Sequence, residues 1–221
     1  MIDLKKQNEI FELIGKKLKK KIECYVIGGS AMLYYGMKSE TKDVGLVFEH
    51  ENDREEIIST LENLGYNKRE SKILYFNKKN TPVLLEREDA RFDLFLNKII
   101  STVLSDSMKK RVELIYEYGN FIVKSLAAED LIITKCATER AGDRKDVHEI
   151  IKATKVDWEI IIKESVYQAS VTPYIFPVFL FDFLYELKED LKADIPNDVI
   201  NKIRKIAEEE MVKAVKKKKK S

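Results

Sequence analysis

Glycine and proline are scarce in this chain, which has 8 glycines and 4 prolines among 221 residues. Proteins contain on average about 7% glycine and about 5% proline, so few positions here favour loops. Apolar residues make up 44% of the chain and aromatic residues 10%, which is enough to form a substantial core. Collagen-like, low-complexity and disordered classes are therefore excluded, and the length predicts one compact domain or two small ones.

Cysteine and histidine are also rare. Cys24 and Cys136 are far apart, and the only histidines are His50 and His148, so the sequence has neither a disulfide framework nor the ligand spacing of a zinc site. The N-terminal residues MIDLKKQNEI lack the apolar stretch of a signal peptide, and no uncharged run is long enough to span a bilayer. We therefore expect a cytoplasmic protein with no membrane partner.

The charges nearly balance, with 40 basic and 38 acidic side chains. A protein that binds nucleic acid through its overall charge is strongly basic, so net charge does not support that class. The lysine run at positions 216–220 is expected to be a solvated tail, and a weak, salt-sensitive attraction to polyanions is the alternative.

Hydrophobic periodicity predicts an α+β fold, a mixed β-sheet with helices followed by a C-terminal helical region. Strands are predicted at 24–27, 43–48, 73–76, 83–85 and 91–96, with a hairpin at 112–123. Helices are predicted at 4–21, 30–35, about 53–64, 126–140, 144–153, 157–168, 173–192 and 196–215. The expected domains are residues 1–124 and 125–221. The aromatic stretch 174–185 is expected to form helix core or a subunit contact, which leaves a homo-oligomer open.

Half of the glycines lie between positions 28 and 45. A predicted strand ends at Gly28, Gly29 and Ser30, where a helix begins, and backbone amides at such a turn favour an anion such as phosphate. Paired glycines let the backbone approach a ligand closely, and the Ser30 hydroxyl can add a hydrogen bond. A purely structural turn explains the pattern equally well.

Two acids follow on neighbouring strands. Asp43 begins one predicted strand and Asp93 lies on a later one, each on the polar face. Carboxylates beside a phosphate turn predict a site for Mg²⁺ together with substrate phosphates. Arg91 shares a face with Asp93 and is a candidate to neutralise this acid cluster.

These segments carry a resemblance to a known superfamily. The stretch VIGGS at 26–30, a twelve-residue spacer and DVGLVF at 43–48 resemble the signature of polymerase-beta-like nucleotidyltransferases. In that superfamily a Gly-Gly or Gly-Ser turn precedes a strand with Asp-x-Asp or Asp-x-Glu, and a later strand supplies a third acid. The stretch FDLFL at 92–96 is similar to that later strand, and residues 125–146 resemble the helical region of the minimal and abortive-infection toxin branches.

The resemblance implies a mechanism. The turn would bind the phosphates of a nucleoside triphosphate, while Asp43 and Asp93 would be catalytic and hold two Mg²⁺ ions that activate a hydroxyl and stabilise the leaving pyrophosphate. The acceptor would be RNA, protein or a small molecule. The resemblance also implies that Lys135 reaches the nucleotide, and an ion pair with Glu139 is the alternative. Asp143 and Asp146 are interpreted as helix-capping acids.

One position departs from the superfamily pattern. Gly45 stands where the second acid is expected, and residues two apart in a strand share a face about 6.6 Å apart, close enough for a shared metal pair. Glu49 shares that face but lies too far along the strand to replace it. We therefore expect weak Mg²⁺ binding and weakened or lost nucleotidyl transfer. The alternative is a non-catalytic module that binds a nucleotide or a partner protein, as in a toxin-antitoxin-like pair.

Overall fold

The computed structural model describes residues 1–70, 78–137 and 140–218, and the chain divides into two compact units. Unit 1 comprises Met1–Ile100 and Leu104–Ala127, and unit 2 comprises Ser101–Val103 and Ala128–Ser221. The main division along the chain therefore falls three residues beyond the expected boundary at residue 124. The predicted strand at 73–76 lies outside the described residues.

Unit 1 is built from helices and a mixed sheet. Its helices are α1 (Leu4–Lys17), α2 (Gly28–Tyr34), α3 (Glu51–Asn63) and α4 (Asp106–Lys110). Its strands are β1 (Ile22–Ile27), β2 (Val44–Phe48), β3 (Asn67–Arg69), β4 (Val83–Arg87), β5 (Ala90–Leu96), β6 (Lys98–Ile99), β8 (Leu114–Tyr118) and β9 (Phe121–Ser125). β7 (Thr102–Val103) belongs to unit 2.

The strands of unit 1 are ordered β3-β4-β5-β2-β1-β9-β8. Strand β2 pairs parallel to β5, and β1 pairs parallel to β9, whereas the other neighbours in this order are antiparallel. The mixed sheet that the sequence predicts is thus confirmed. Strands β1, β2 and β5 lie at its centre, and they carry the predicted glycine turn and both predicted acids.

The central strands carry most of the buried side chains of the sheet. On β2, Val44, Leu46 and Phe48 are fully buried, as the period of two predicts. Helix α1 contributes Phe11, whose ring meets Phe121 of β9 edge-on at 5.4 Å between ring centres. Val47, on the opposite face of β2, is also fully buried, so side chains on both faces of the central strands are covered.

Unit 2 is mainly helical. Its helices are α5 (Ala128–Cys136), α6 (Ala141–Ala153), α7 (Trp158–Val171), α8 (Phe176–Asp190) and α9 (Asn197–Lys218). The aromatic stretch lies on α8, where Phe176 and Phe183 are buried. Short β7 is held to α7 because the Gln168 side chain accepts from Val103 N and donates to Val103 O. Among the described residues no helix has the length and apolarity to cross a membrane.

The sequence missed the shortest elements. β3, β6, β7 and α4 were not predicted, since runs of two to five residues are too short to show a hydrophobic period. Helix α1 ends at Lys17 rather than at residue 21, and α5 ends at Cys136 rather than at residue 140.

Gly15 provides a test of the packing of α1. A Cβ at Gly15 would lie 1.5 Å from the Tyr118 carbonyl oxygen, so we expect Gly15→Ala to lower the free energy of unfolding by about 1–3 kcal/mol through overpacking. Gly142→Ala is the matched control, because no atom lies within 4 Å of a Cβ there; its stability should be unchanged or rise by less than about 1 kcal/mol. Urea unfolding measures the free energy of unfolding of both variants. An equal decrease in the two would contradict the close packing of α1 on Tyr118.

Candidate active site

The register of β2 brings the predicted residues together. Gly45 pairs with Ile27 of β1 on one side and with Asp93 of β5 on the other. Directly paired residues project to the same face of a sheet, so these three positions form a row across one face. Asp43 immediately precedes β2 and lies at its start, beside this row.

The paired glycines lie where the sequence places them, directly after β1, and they form the first turn of α2. Gly28 has φ +63°, a left-handed conformation that glycine adopts without a steric penalty, and no atom lies within 4 Å of a Cβ built there. Gly29 packs so closely on Thr41 that a Cβ would lie 2.3 Å from its hydroxyl oxygen. The turn thus has one open residue and one tightly packed residue.

Ser30 has a structural partner. Its hydroxyl donates to the Asp43 carbonyl oxygen at 3.1 Å, and the residue is fully buried. The Thr41 hydroxyl donates to the same carbonyl oxygen at 3.2 Å. These bonds hold the start of α2 against the start of β2 and so set the position of Asp43. A hydrogen bond from Ser30 to phosphate stays a prediction.

Arg91 binds both predicted metal ligands. Its Nε donates to Asp93 Oδ1 at 2.9 Å and its Nη2 to Asp93 Oδ2 at 3.3 Å, while Nη2 also donates to Asp43 Oδ2. The side chain of Asp93 is only 7% exposed, and burying a carboxylate is costly unless it is paired and hydrogen-bonded. The predicted pairing of Arg91 with the acid cluster is confirmed, whereas metal binding by these acids stays a prediction.

Position 45, where the acid is missing, is closely packed against a neighbouring strand. A Cβ at Gly45 would lie 2.8 Å from Cγ1 of Ile27, closer than a normal contact. Ile27 is buried, and its side chain occupies the space beside Gly45 into which a longer residue would extend. A side chain at position 45 would therefore require Ile27 to shift.

These residues do not fit a two-metal centre as they stand. No group of three or more histidine, cysteine, aspartate or glutamate side chains within 1–70, 78–137 and 140–218 is arranged to hold a metal. The two acids that remain, Asp43 and Asp93, share the arginine instead.

Glu49, the acid that directly follows β2, is bound by side chains from other elements. It accepts a hydrogen bond from the Tyr25 hydroxyl at 3.1 Å and forms an ion pair with Lys109 of α4 at 2.7 Å. Burial alone would raise the pKa of Glu49, but the bonds from Lys109 and Tyr25 outweigh it and hold the pKa below its usual value. Burial and the Glu49 carboxylate raise the pKa of Tyr25. Glu49 therefore does not replace the missing acid.

Lys135 lies within unit 2 in a buried ion-pair network. Its Nζ donates to Asp143 Oδ1 at 2.8 Å and to Asp146 Oδ2 at 2.7 Å, and Arg140 also binds Asp143. Asp143 lies in the first turn of α6, but the capping interpretation missed that both acids bind Lys135. The alternative partner, Glu139, lies outside the described residues. Nucleotide binding by Lys135 stays a prediction.

Comparisons with known proteins agree with the superfamily resemblance. A family model described as "Nucleotidyltransferase of unknown function (DUF6036)" matches residues 4–175, more than half of the chain. Comparison with curated proteins finds no match.

The chain is similar to the crystal structure of ANT(2″)-Ia in complex with adenylyl-2″-tobramycin, at 14% identity and a TM-score of 0.48, over 74% of this chain and 97% of that one. It is also similar to an antigenic nucleotidyltransferase-like protein from Paracoccidioides brasiliensis, at 13% identity and a TM-score of 0.49, over 90% of this chain and 98% of that one. Both structural similarities are too distant to relate individual residues.

Replacing Arg91 tests its role as the counterion. Arg91→Ala leaves the buried Asp93 carboxylate without this partner, so we expect the free energy of unfolding to fall by about 1–3 kcal/mol or more. The paired carboxylates should then bind a divalent cation through their oxygens, so millimolar Ca²⁺ or Mg²⁺ should restore stability to the variant and not to the wild type.

Arg69→Ala is the matched control for this experiment. The Arg69–Glu86 pair lies on neighbouring strands of the same sheet but is exposed, so its loss should cost less than about 1 kcal/mol and show no response to cations. Thermal unfolding with and without the cation measures both effects. If the two substitutions lowered the free energy of unfolding equally, Arg91 would contribute no more than an exposed surface charge.

Proposed function

Because this chain belongs to the DUF6036 family of nucleotidyltransferases of unknown function, we propose that it keeps the nucleotide-binding turn of that fold and has lost or greatly reduced nucleotidyl transfer. The observation that carries this proposal is the position of Arg91, which binds both Asp43 and Asp93. Nucleotidyl transfer of the kind implied by the resemblance needs cations at those carboxylates that can also coordinate the substrate phosphates. A guanidinium neutralises the carboxylates but has no open coordination position.

Three features of the site support reduced transfer, and each would weaken metal binding in a different way. Gly45 supplies no ligand, Ile27 fills the space beside it, and Arg91 competes with Mg²⁺ for the two acids that remain. A metal would have to displace an arginine that is held by one carboxylate through both of its oxygens. We propose that Mg²⁺ therefore binds weakly at Asp43 and Asp93.

The turn supports the binding half of the proposal. Gly28 leaves its outer side open, with no atom within 4 Å of a Cβ position, so a phosphate can approach the backbone. This contact does not involve the Asp43 and Asp93 carboxylates. We therefore propose that a nucleoside triphosphate binds through its phosphates at the turn and that Mg²⁺ contributes little to its affinity.

The alternative is binding of a partner protein in a toxin-antitoxin-like pair, and it stays a prediction. The acceptor, whether RNA, protein or a small molecule, matters only if transfer survives. A cytoplasmic location likewise stays a prediction.

Transfer itself can be tested by rebuilding the missing acid. Wild type should release little or no pyrophosphate from nucleoside triphosphates in Mg²⁺ or Mn²⁺. The variant Ile27→Ala/Gly45→Asp/Arg91→Ser makes room for an acid at position 45 and removes the arginine, so calorimetry should show divalent-cation binding that the wild type lacks. Pyrophosphate release in this variant would add support for an enzymatic ancestry.

The same triple variant with Gly45→Asn in place of Gly45→Asp is the matched control. It has the same shape and the same cavity at residue 27 but no carboxylate, so it should bind the cation at least about tenfold more weakly. The proposal is overturned if the wild type shows Mg²⁺-dependent pyrophosphate release that Asp43→Ala and Asp93→Ala each abolish.

Nucleotide binding is tested at the turn. Gly28→Ala and Gly36→Ala introduce the same strain, since both glycines have left-handed φ values, +63° and +66°, and open surroundings. Each should cost about 1–2 kcal/mol of stability, but only Gly28→Ala should weaken ATP binding, by about tenfold or more. Calorimetric titration with ATP, with Mg²⁺ and with a chelator, measures this. Equal affinity for ATP in both variants would exclude the turn as the phosphate site.

A further inference from the structure

Strand β8 lies at one end of the strand order in unit 1, and among the described residues only β9 pairs with it. Its other edge therefore has backbone hydrogen-bonding groups without a strand partner. Tyr118 pairs with Phe121 across a two-residue turn, so this pair and every second pair before it are hydrogen-bonded. The N–H and C=O groups of Ile115 and Glu117 lie between those pairs and point to the free edge.

The two ends of this strand order differ in length and composition. Strand β3, at the opposite end, is three residues long, is exposed throughout, and carries Lys68 and Arg69. Short length and charge are common means by which a protein prevents a sheet edge from pairing with another chain. Strand β8 has five residues, four of them apolar or aromatic, and has neither lysine nor proline. It is therefore the edge that is better suited to accept a further strand.

The exposed positions of β8 place an apolar residue between two acids. Exposure alternates along this segment, so Glu113, Ile115 and Glu117 face solvent on the same side, and Ile115 is 55% exposed. Among the described residues neither glutamate has an ion-pair partner. Lys124 lies directly opposite Ile115 on β9, but its ammonium binds Glu23. We call Glu113, Ile115 and Glu117 the β8 edge.

A second copy of this chain is a poor partner for the β8 edge. A two-fold axis that continues the sheet pairs two identical edges antiparallel. With the axis at residue 115, Glu113 lies opposite Glu117 of the second copy, which is repulsive. With the axis at residue 116, Ile115 lies opposite a glutamate of the second copy and is covered by a charged group. Both registers that align the whole edge are therefore unfavourable.

We propose that the β8 edge binds an extended segment of a partner protein, which adds an antiparallel strand and carries basic, apolar and basic side chains at alternate positions. The backbone groups of Ile115 and Glu117 form hydrogen bonds with the added strand. Its apolar side chain covers Ile115, and its basic side chains meet Glu113 and Glu117. The carboxylates are exposed, so the contact of a short segment is weak and sensitive to salt. The β8 edge shares no residue with the proposed nucleotide site.

A short synthetic peptide tests this surface directly. The probe has seven residues, with threonine at the odd positions and lysine, isoleucine and lysine at the even ones, and it carries a fluorophore. Fluorescence anisotropy with the full chain should give a dissociation constant of about 10–500 μM at low salt, and weaker binding at high salt. The same peptide with glutamate in place of lysine should not bind. Absence of binding of the lysine peptide at near-millimolar protein overturns the proposal.

Backbone hydrogen bonds distinguish strand addition from charge attraction alone. N-methylation of the peptide's isoleucine removes a donor that faces Ile115 and should weaken binding by about tenfold, whereas charge attraction alone would be unchanged. In the free protein the amide hydrogens of Ile115 and Glu117 should exchange faster than that of Tyr116, and the lysine peptide should slow them. Hydrogen exchange followed by NMR measures this. A bound peptide that leaves both amides unprotected, or that tolerates the N-methyl group, overturns the proposal.

Charge reversal on the protein identifies the binding surface. Glu113→Lys/Glu117→Lys should lose the lysine peptide and bind the glutamate peptide instead. Glu55→Lys/Glu88→Lys is the matched control, because it makes the same change of net charge at exposed positions of unit 1 outside β8. The control should keep the affinity for the lysine peptide within about threefold. All four glutamates are exposed, so circular dichroism should show both variants folded. Equal loss of binding in the two variants would mean attraction to overall charge and overturns the proposal.

Discussion

The pairing of β2 with β1 on one side and β5 on the other is the constraint on which the site depends. It places Gly45 between Ile27 and Asp93, in a row across one face of the sheet. Since neighbouring strands are about 4.8 Å apart, a side chain at any one of these positions restricts the next. The identity of residue 45, the bulk of residue 27 and the charge at residue 93 are therefore coupled, and a change at one alters what the others tolerate.

Electrostatics explains why an arginine belongs in this arrangement. A carboxylate as buried as that of Asp93 needs a nearby cation to compensate its charge. A metal site that lacks one ligand binds its metal weakly, so it supplies that charge poorly. Arg91 is two residues away on the same strand, so its side chain shares the face, and its planar guanidinium can donate to both oxygens of Asp93 and still reach Asp43. The cluster is thus stabilised as an ion-pair network within the sheet.

Much of the fold could be predicted from local patterns. Consecutive residues are enough to predict the amphipathic period of α1, the alternation of β2 and β5 and the glycine turn. The proximity of Arg91 to Asp93 follows from the period of two in a strand. Ile27 was missed because it is an ordinary apolar strand residue whose contact with Gly45 exists only across the sheet. The bonds of Lys135 were missed for the same reason, since they depend on how α5 meets α6.

The sequence by itself determined the kind of fold, the turn, the two acids and the glycine in place of a third. Those properties depend on residue type and on spacing of a few positions along one chain segment. Only the tertiary structure decided that Arg91 joins Asp43 to Asp93 and that Ile27 fills the space beside Gly45. Both contacts connect separate strands, and strand order and register arise from packing of the whole sheet rather than from any local pattern.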